Sequence, residues 1–376
     1  NAPHDVSHII AGPKLKPYVP WLKGQWHFEN FLFYGSATPD KLQAWLTRVT
    51  SQGQRLGVWS DYTMFDQSFS AEAWSFVESF YAQYKSDPSF QRVLDAWRCP
   101  SGKMGHFLKY RGRVMNASGR DDTALANAIL NGVAMLISLT ASWYRVRVRD
   151  VKLEHLLQFS TVLDLSVCGD DALAFVPHLG EIESLAFITR AKENLQEFGM
   201  KAKMFCSDRF EDCVYLGHRP ILVGGKWYWA KTLGRCLWKL GLQNSLSGDG
   251  WAHTMGIMRM HAECSSHVPI LSDIANAYLV QGDGSKINAW QPDENRPCET
   301  MGKFGPASYD DDALASTAAA YSVTRRVCRR DLSPEDVVLT VHDIRDCIQH
   351  LKSNIRMGPF VSGHWVLRHM VWVDEL

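Results

Sequence analysis

The sequence predicts an α+β fold that gives way to a separate helical lobe towards its C-terminal end, and three observations carry that prediction. Val162 to Pro177 holds two β-prone, apolar-rich arms around a Gly169-Asp170 centre, the pattern of a tight antiparallel hairpin. On either side of it, stretches with apolar residues at helical spacing alternate with short apolar strands. From about Leu240 onward the pattern is helical.

Composition narrows the class. The chain has 376 residues, 46% of them hydrophobic, with 40 Lys plus Arg against 40 Asp plus Glu. Such a chain is globular rather than disordered and long enough for two or three subdomains. A net charge of zero announces no nucleic-acid partner, so any such surface has to be a local channel. The nine cysteines are odd in number and hold no C-x-x-C pair, which indicates free thiols in a reducing compartment, the cytosol. No apolar run is expected to approach membrane-spanning length. The opening Asn-Ala-Pro-His has neither an initiating Met nor a signal peptide, so the chain is expected to be cut from a longer polypeptide.

In the first 50 residues Gly12-Pro13, Pro17 and Pro20 read as breakers. Pro39-Asp40 then opens a helix over Lys41 to Val49, with Leu42, Trp45, Leu46 and Val49 at helical spacing. Leu56 to Ser60 is a short strand that delivers Asp61 to its end, where a sheet fixes an acid and leaves it open to substrate. Trp74, Val77, Phe80, Tyr81 and Tyr84 predict an amphipathic helix over Ala71 to Tyr84 with its aromatic stripe in the core. Pro100 to Arg120 mixes Lys103, Lys109, Arg111, Arg113 and Arg120 with Phe107 and Tyr110, which suits a nucleic-acid backbone or a solvated basic face.

The run from Thr123 to Ile137 is a helix capped by Asp121 or Asp122, with Asn127 and Asn131 four apart on one face. Ile182 to Phe198 is a helix closed by Gly199, and Lys201 to Phe205 is a short strand. Cys213 to Leu222 and Lys226 to Trp229 form a second hairpin turned at Gly224-Gly225. Helices over Trp251 to Cys264, Ile270 to Val280, Asp312 to Ser322 and Ser333 to Leu351 make the C-terminal lobe. His253, His261, Cys264 and His267 fall there too, but no interval among them matches a structural zinc pattern.

The first hairpin carries Asp170 and Asp171 at its tip. Taken alone, a Gly-Asp turn is as readily a solvated connection between core strands. Neighbouring carboxylates repel unless a cation sits against them, and hard oxygen donors favour magnesium. A strand ending at Asp61, lying beside the hairpin in one antiparallel sheet, brings two or three carboxylates together. Two Mg²⁺ ions held there would activate an attacking hydroxyl and stabilise an in-line transition state at phosphorus.

Asp61-x-x-x-Phe65-Asp66-Gln67, Ser118-Gly119-x-x-x-Thr123-x-x-x-Asn127 and Gly169-Asp170-Asp171, in that order, resemble the palm of the RNA-dependent RNA polymerases of positive-strand RNA viruses. Gly199-x-x-x-Lys203 and Arg219-Pro220 sit where that family has its later palm motifs. These features and the Phe-Asp-Gln string are most similar to the tombusvirus and nodavirus side of the family. The resemblance runs by motif from about Trp59 to Lys239.

The resemblance implies a right-hand polymerase: partial fingers over 1–57, the first acidic motif of the palm over 58–67, a fingers insertion over 68–117, the rest of the palm over 118–239 and a helical thumb over 240–376. It implies template-directed RNA synthesis in viral genome replication, from ribonucleoside triphosphates onto an RNA 3′-hydroxyl, with release of pyrophosphate. Asp61 and Asp170 would be the principal ligands of two Mg²⁺ ions, with Mn²⁺ as a substitute, and Asp171 an auxiliary ligand. Asp66 and Asn127 would read the ribose 2′-hydroxyl. Ser118 and Gly119 would touch the nascent pair or template, with Thr123 supporting that pocket. Lys203 would be the general acid that protonates pyrophosphate, and Lys201 its rival after a one-residue slip of register. Arg259, Arg325, Arg326, Arg329 and Arg330 would divide between an RNA channel and the outer face of the thumb.

The implied partners are template and nascent RNA, ribonucleoside triphosphates and other viral replication proteins. The implied place is the host cytoplasm, at a membrane-associated replication complex reached through regions outside this chain. One departure stands: the basic triphosphate-binding segment that precedes the first acid in this family has only Lys14, Lys16 and Lys23 to represent it. A reverse transcriptase would share palm and metals, but Asp66 stands where such enzymes place a bulky aromatic, and Gly169 where they carry an aromatic-x pair. A degenerate palm serving as an RNA-binding or scaffolding protein would be expected to lack one of the acids, and all are present.

Overall fold

The computed structural model describes residues 5–25, 30–33, 38–104, 108–112, 114–116, 120, 122–240, 250–281, 305–322, 337–354 and 363–375. The chain forms two compact units, one of Asn1–Ala37 with Leu56–Cys206 and one of Thr38–Arg55 with Ser207–Leu376.

The first unit begins with α1 (Asp5–Gln25), a helix through the segment where prolines were expected to break the chain. Ala11, Leu15, Tyr18 and Leu22 form a buried stripe at helical spacing. Pro13, Pro17 and Pro20 all lie on the exposed side, where carbonyls left unpaired by the missing N–H groups meet water. Burial of the stripe outweighs the lost donors. Tyr18 anchors it, its hydroxyl donating to Phe80 O and its ring meeting Tyr81 and Tyr84 edge-on. Lys14 pairs with Asp87 at 2.7 Å.

Five strands make the sheet of this unit, in the order β1 (Phe31–Phe33), β5 (Asp164–Cys168), β6 (Asp171–Pro177), β2 (Arg55–Tyr62) and β7 (Ala202–Ser207). β5 and β6 are antiparallel, with Val167 opposite Ala172. The three-residue β1, too short to register in the sequence, runs parallel to β5, so the sheet is mixed where an antiparallel one was expected. β2 is buried from Arg55 to Ser60 and β6 from Ala172 to Val176. Asp61 and Asp171, at the strand ends, are the residues that emerge into solvent.

α3 (Ala71–Ser79) is capped by Ser70, whose Oγ accepts from Ala73 N at 3.1 Å, and ends five residues before the expected Tyr84. Its last turn tightens as Tyr81 N reaches Glu78 O, and a short 3₁₀ turn over Ala82–Tyr84 follows. α4 (Pro88–Arg98) is capped by Asp87, which accepts from Ser89 N and Phe90 N. A two-stranded hairpin pairs β3 (Ser101–Met104) with β4 (Leu108–Arg111). The central helix α5 (Thr123–Tyr144) packs against α6 (Leu153–Ser160) and α7 (Glu181–Glu197), with Trp143 between Phe159 and Phe187 at ring-centre distances of 5.3 and 6.2 Å. Against expectation, α5 is long and apolar enough to cross a membrane. Its most apolar window is 78% buried within the protein, as the core helix of a folded unit would be.

The second unit holds α2 (Pro39–Ser51), the hairpin of β8 (His218–Val223) and β9 (Lys226–Lys231), and the helices α8 (Leu233–Lys239), α9 (Gly250–Cys264), α10 (Leu271–Gln281), α11 (Asp311–Tyr321), α12 (Val341–Asn354) and α13 (Trp365–Glu375). Ile221, Leu237, Met258, Ile274, Ile344 and Met370 belong to its core. Gly224 and Gly225 both take positive φ, as a two-residue hairpin turn of this kind requires. β8 begins at His218 rather than Cys213, because the backbone turns at Leu216-Gly217, also at positive φ. α12 begins at Val341, where Thr340 and Asp343 cap it reciprocally, so 337–340 are not helical as expected. The Ser333-Pro334 start lies outside the described residues. So do Arg325, Arg326, Arg329 and Arg330, while Arg259 is exposed and paired with Glu263 at 2.8 Å.

Candidate active site

Cys168 faces Asp171 across the hairpin, which leaves Gly169-Asp170 as a two-residue connection. Gly169 has φ +66°, and a Cβ there would meet nothing within 4 Å, so glycine is required by conformation and not by space. Asp170 stands at the tip, solvent-accessible, just before β6, the strand next to β2. Burial first, and then the charges of Asp66 and Asp61, push the Asp170 carboxyl above the ordinary aspartate value, with its own backbone pulling the other way. The carboxylates that act on Asp170 include Asp66, from the turn after β2, and Asp61, from the end of that strand.

Beyond β2 the backbone turns sharply. Met64 takes φ +56°, and a 3₁₀ turn over Phe65–Ser68 follows. Phe65 is buried against Tyr62 and Phe69, which holds the turn in place and presents the half-buried Asp66. Asn127, on α5, donates through Nδ2 to Asp66 Oδ1 at 2.9 Å. The pair expected to read a sugar hydroxyl is therefore assembled, and it has a third member that sequence reasoning missed. Asn116 is fully buried, donates through Nδ2 to Asn127 Oδ1 at 2.6 Å and to Thr123 O at 3.2 Å, and its backbone N–H reaches Asp66 O at 2.8 Å. A lone Asn ahead of a Ser-Gly pair gives no periodic signal, so only its burial identifies it.

Asn131, one turn further along α5, holds the other half of the site. Its Nδ2 donates to Gly169 O at 3.2 Å and to Asp170 O at 2.8 Å, and its Oδ1 accepts from Tyr62 Oη at 2.8 Å. Its spacing from Asn127 was visible in the sequence, its role was not.

Ser118 and Gly119 lie outside the described residues. Thr123 opens α5, its Oγ1 accepting from Arg120 N at 3.1 Å. Two expectations around it fail. Asp122 occupies the cap position but makes no capping bond, because its carboxylate holds the Arg120 guanidinium at 2.8 Å and accepts from Tyr81 Oη at 3.2 Å. Arg120 is no nucleic-acid contact: its guanidinium is buried between Trp74 and Trp97, 4.2 and 4.4 Å from their ring centres.

Lys203 is exposed on β7, the neighbour of β2. Thr63 N donates to Lys201 O at 2.9 Å and Trp59 stacks on Phe205, which brings Lys203 level with Asp61. Lys201 is exposed too, and two residues apart on an extended chain the lysines share a face. The two differ in position along the strand, not in face, and Lys203 is the one level with Asp61.

Among the described residues no group of three His, Cys, Asp or Glu side chains is gathered to hold a metal ion by itself. One or two carboxylates completed by waters and substrate phosphates is, however, the usual way a protein holds Mg²⁺. The exposed Asp61, at the end of β2, and Asp170, at the tip of the hairpin beside it, fit that donor set. No protein-family model matches the chain, and no curated protein matches it.

Proposed function

We propose that this protein is an RNA-dependent RNA polymerase that adds ribonucleotides to an RNA 3′-hydroxyl on an RNA template, with the acids of its palm in the first unit and the helices from 240 onward, in the second, as its thumb. The observation that carries the reading is the placement of two acids from separate parts of the sequence at one edge of the sheet: Asp61 ends β2, Asp170 tips the hairpin beside it, and Asn131 bonds both the Tyr62 hydroxyl and the Asp170 carbonyl. In this reading Asp61 and Asp170 hold the divalent cations, with Asp171 beside them, and Mg²⁺ bound there supplies charge to activate the 3′-hydroxyl and neutralise the departing pyrophosphate. Asp66, oriented by Asn127, accepts from the ribose 2′-hydroxyl. Lys203, level with Asp61, delivers a proton to the leaving oxygen.

Incorporation of labelled UMP on a poly(A) template with an oligo(U) primer and Mg²⁺ tests the proposal. The full chain is expected to extend the primer, and Asp170→Asn to lower the rate by several orders of magnitude with the fold intact. Undiminished extension by that variant would rule out the assignment.

A further inference from the structure

We infer that Asn131 is the positioning residue of the acid pair, a buried clamp that fixes the Asp170 turn to the end of the strand carrying Asp61. This rests on the polymerase reading of the same site.

The two acids sit at the ends of neighbouring strands and repel each other, so the hairpin tip has a standing reason to spring away from β2. A two-residue turn has little of its own to resist that. Asn131 ties it down from within the protein, bonding the two backbone carbonyls of the turn with one end of its amide and the Tyr62 hydroxyl with the other. Tyr62 directly follows Asp61, and Asp170 contributes one of the two carbonyls. The clamp therefore grips the residue beside one acid and the backbone of the other.

The chemistry demands an amide. Asn131 is fully buried, and its partners are two acceptors and one donor, which only a group that both donates twice and accepts can satisfy. An aspartate at 131 has the same shape but would face the two carbonyls with no proton to give. Asn127 and Asn131 lie one helical turn apart on α5, so a single rigid helix sets the positions of both Asp66 and Asp170.

The test is Mn²⁺ binding to the full chain without RNA, followed by electron paramagnetic resonance, together with steady-state extension kinetics. Asn131→Asp is expected to weaken Mn²⁺ binding by about tenfold or more, as loss of a partner behind a metal ligand does. It is also expected to lower kcat with the KM for UTP unchanged. Tyr62→Phe removes one leg of the clamp without touching the turn and is expected to shift both readouts in the same direction by less. Wild-type Mn²⁺ affinity in Asn131→Asp, or in Tyr62→Phe should the former not fold, overturns the inference if Asp170→Asn loses the ion. Retention of Mn²⁺ by Asp170→Asn overturns the reading of the site itself, and the clamp with it.

Discussion

Asn127 donates to Asp66 while its own amide oxygen is engaged by Asn116, so the relay from Asn116 through Asn127 to Asp66 has a fixed direction. Asp66 is thereby presented as an acceptor. A site built to bond a hydroxyl penalises the analogue lacking it by roughly 1 to 3 kcal/mol per group, about ten- to a hundredfold. Asn127→Ala is expected to narrow the preference for UTP over dUTP by that factor, chiefly by slowing UTP. Asn116→Ala, which leaves the Asn127 amide free to turn, is expected to act the same way more weakly. Single-nucleotide incorporation with both sugars measures it, and equal slowing of the two would show that these residues only support the loop.

In the second unit Arg219 and Asp374 form an ion pair buried at both ends, 3.0 Å apart. Asp374 also accepts from Gly234 N and from the Tyr321 hydroxyl, so one carboxylate on α13 holds α8, α11 and β8. Burial works against the charge on Arg219, but Asp374 and then Tyr321 outweigh it and raise the guanidinium above its ordinary value. Asp374→Ala leaves that charge uncompensated and is expected to cost about 3–5 kcal/mol in urea denaturation. Arg219→Met combined with Asp374→Leu is expected to recover part of the loss. A single variant as stable as the wild type would show that the pair does not secure the C-terminal helix.

What the sequence disclosed and what it hid divide along local and long-range causes. The 162–177 hairpin and α7 were legible because turn residues and apolar spacing are local signals, and Gly169 and Gly199 stand where positive φ is needed. α1 was not legible because three prolines argue locally against a helix, and no local rule says that they face water while Ala11, Leu15, Tyr18 and Leu22 are buried. Arg120 carried the signature of a basic, aromatic surface, yet the aromatics it meets are Trp74 and Trp97, brought to it only by folding. The site was legible in its acids, whose types announce chemistry. It was not legible in Asn116 and Asn131, since an amide reads alike whether it is solvated or clamps two strands.

Three buried histidines of the second unit, His218, His261 and His267, are held below the ordinary value and are expected to make it sensitive to acid. Burial, and then the charge of Lys231, hold both His218 and His261 down to about 3. Between there and the ordinary value of 6.5 the unfolded chain takes up protons that the folded one refuses. The stability this confers is complete above 6.5 and is lost as the pH falls towards 3. Denaturation midpoints measured from pH 7 down to about pH 4 are expected to decline, and less steeply for His218→Gln and His261→Gln whatever their stability at pH 7. An unchanged slope in both variants would place the acid sensitivity elsewhere.

Asp170 works in the opposite sense. Its carboxyl titrates above the ordinary aspartate value, so the folded protein holds this proton more firmly than the unfolded chain does. That contribution is complete below the unfolded value and is lost as the pH rises through the raised one, above which Asp170 is a charge beside Asp66 and Asp61. Asparagine in its place keeps the backbone carbonyl that Asn131 binds and removes the charge. Without metal, Asp170→Asn is therefore expected to raise Tm at pH 7 and to leave it unchanged near pH 3, where the wild-type carboxyl is already protonated. Adding Mg²⁺ at pH 7 is expected to raise the Tm of the wild type and to do little for the variant, since an ion that binds only the folded state stabilises it by mass action. A gain that persists unchanged at pH 3 would trace to packing instead. Equal Tm values at pH 7 would mean that the three acids do not repel one another strongly enough to recruit a cation.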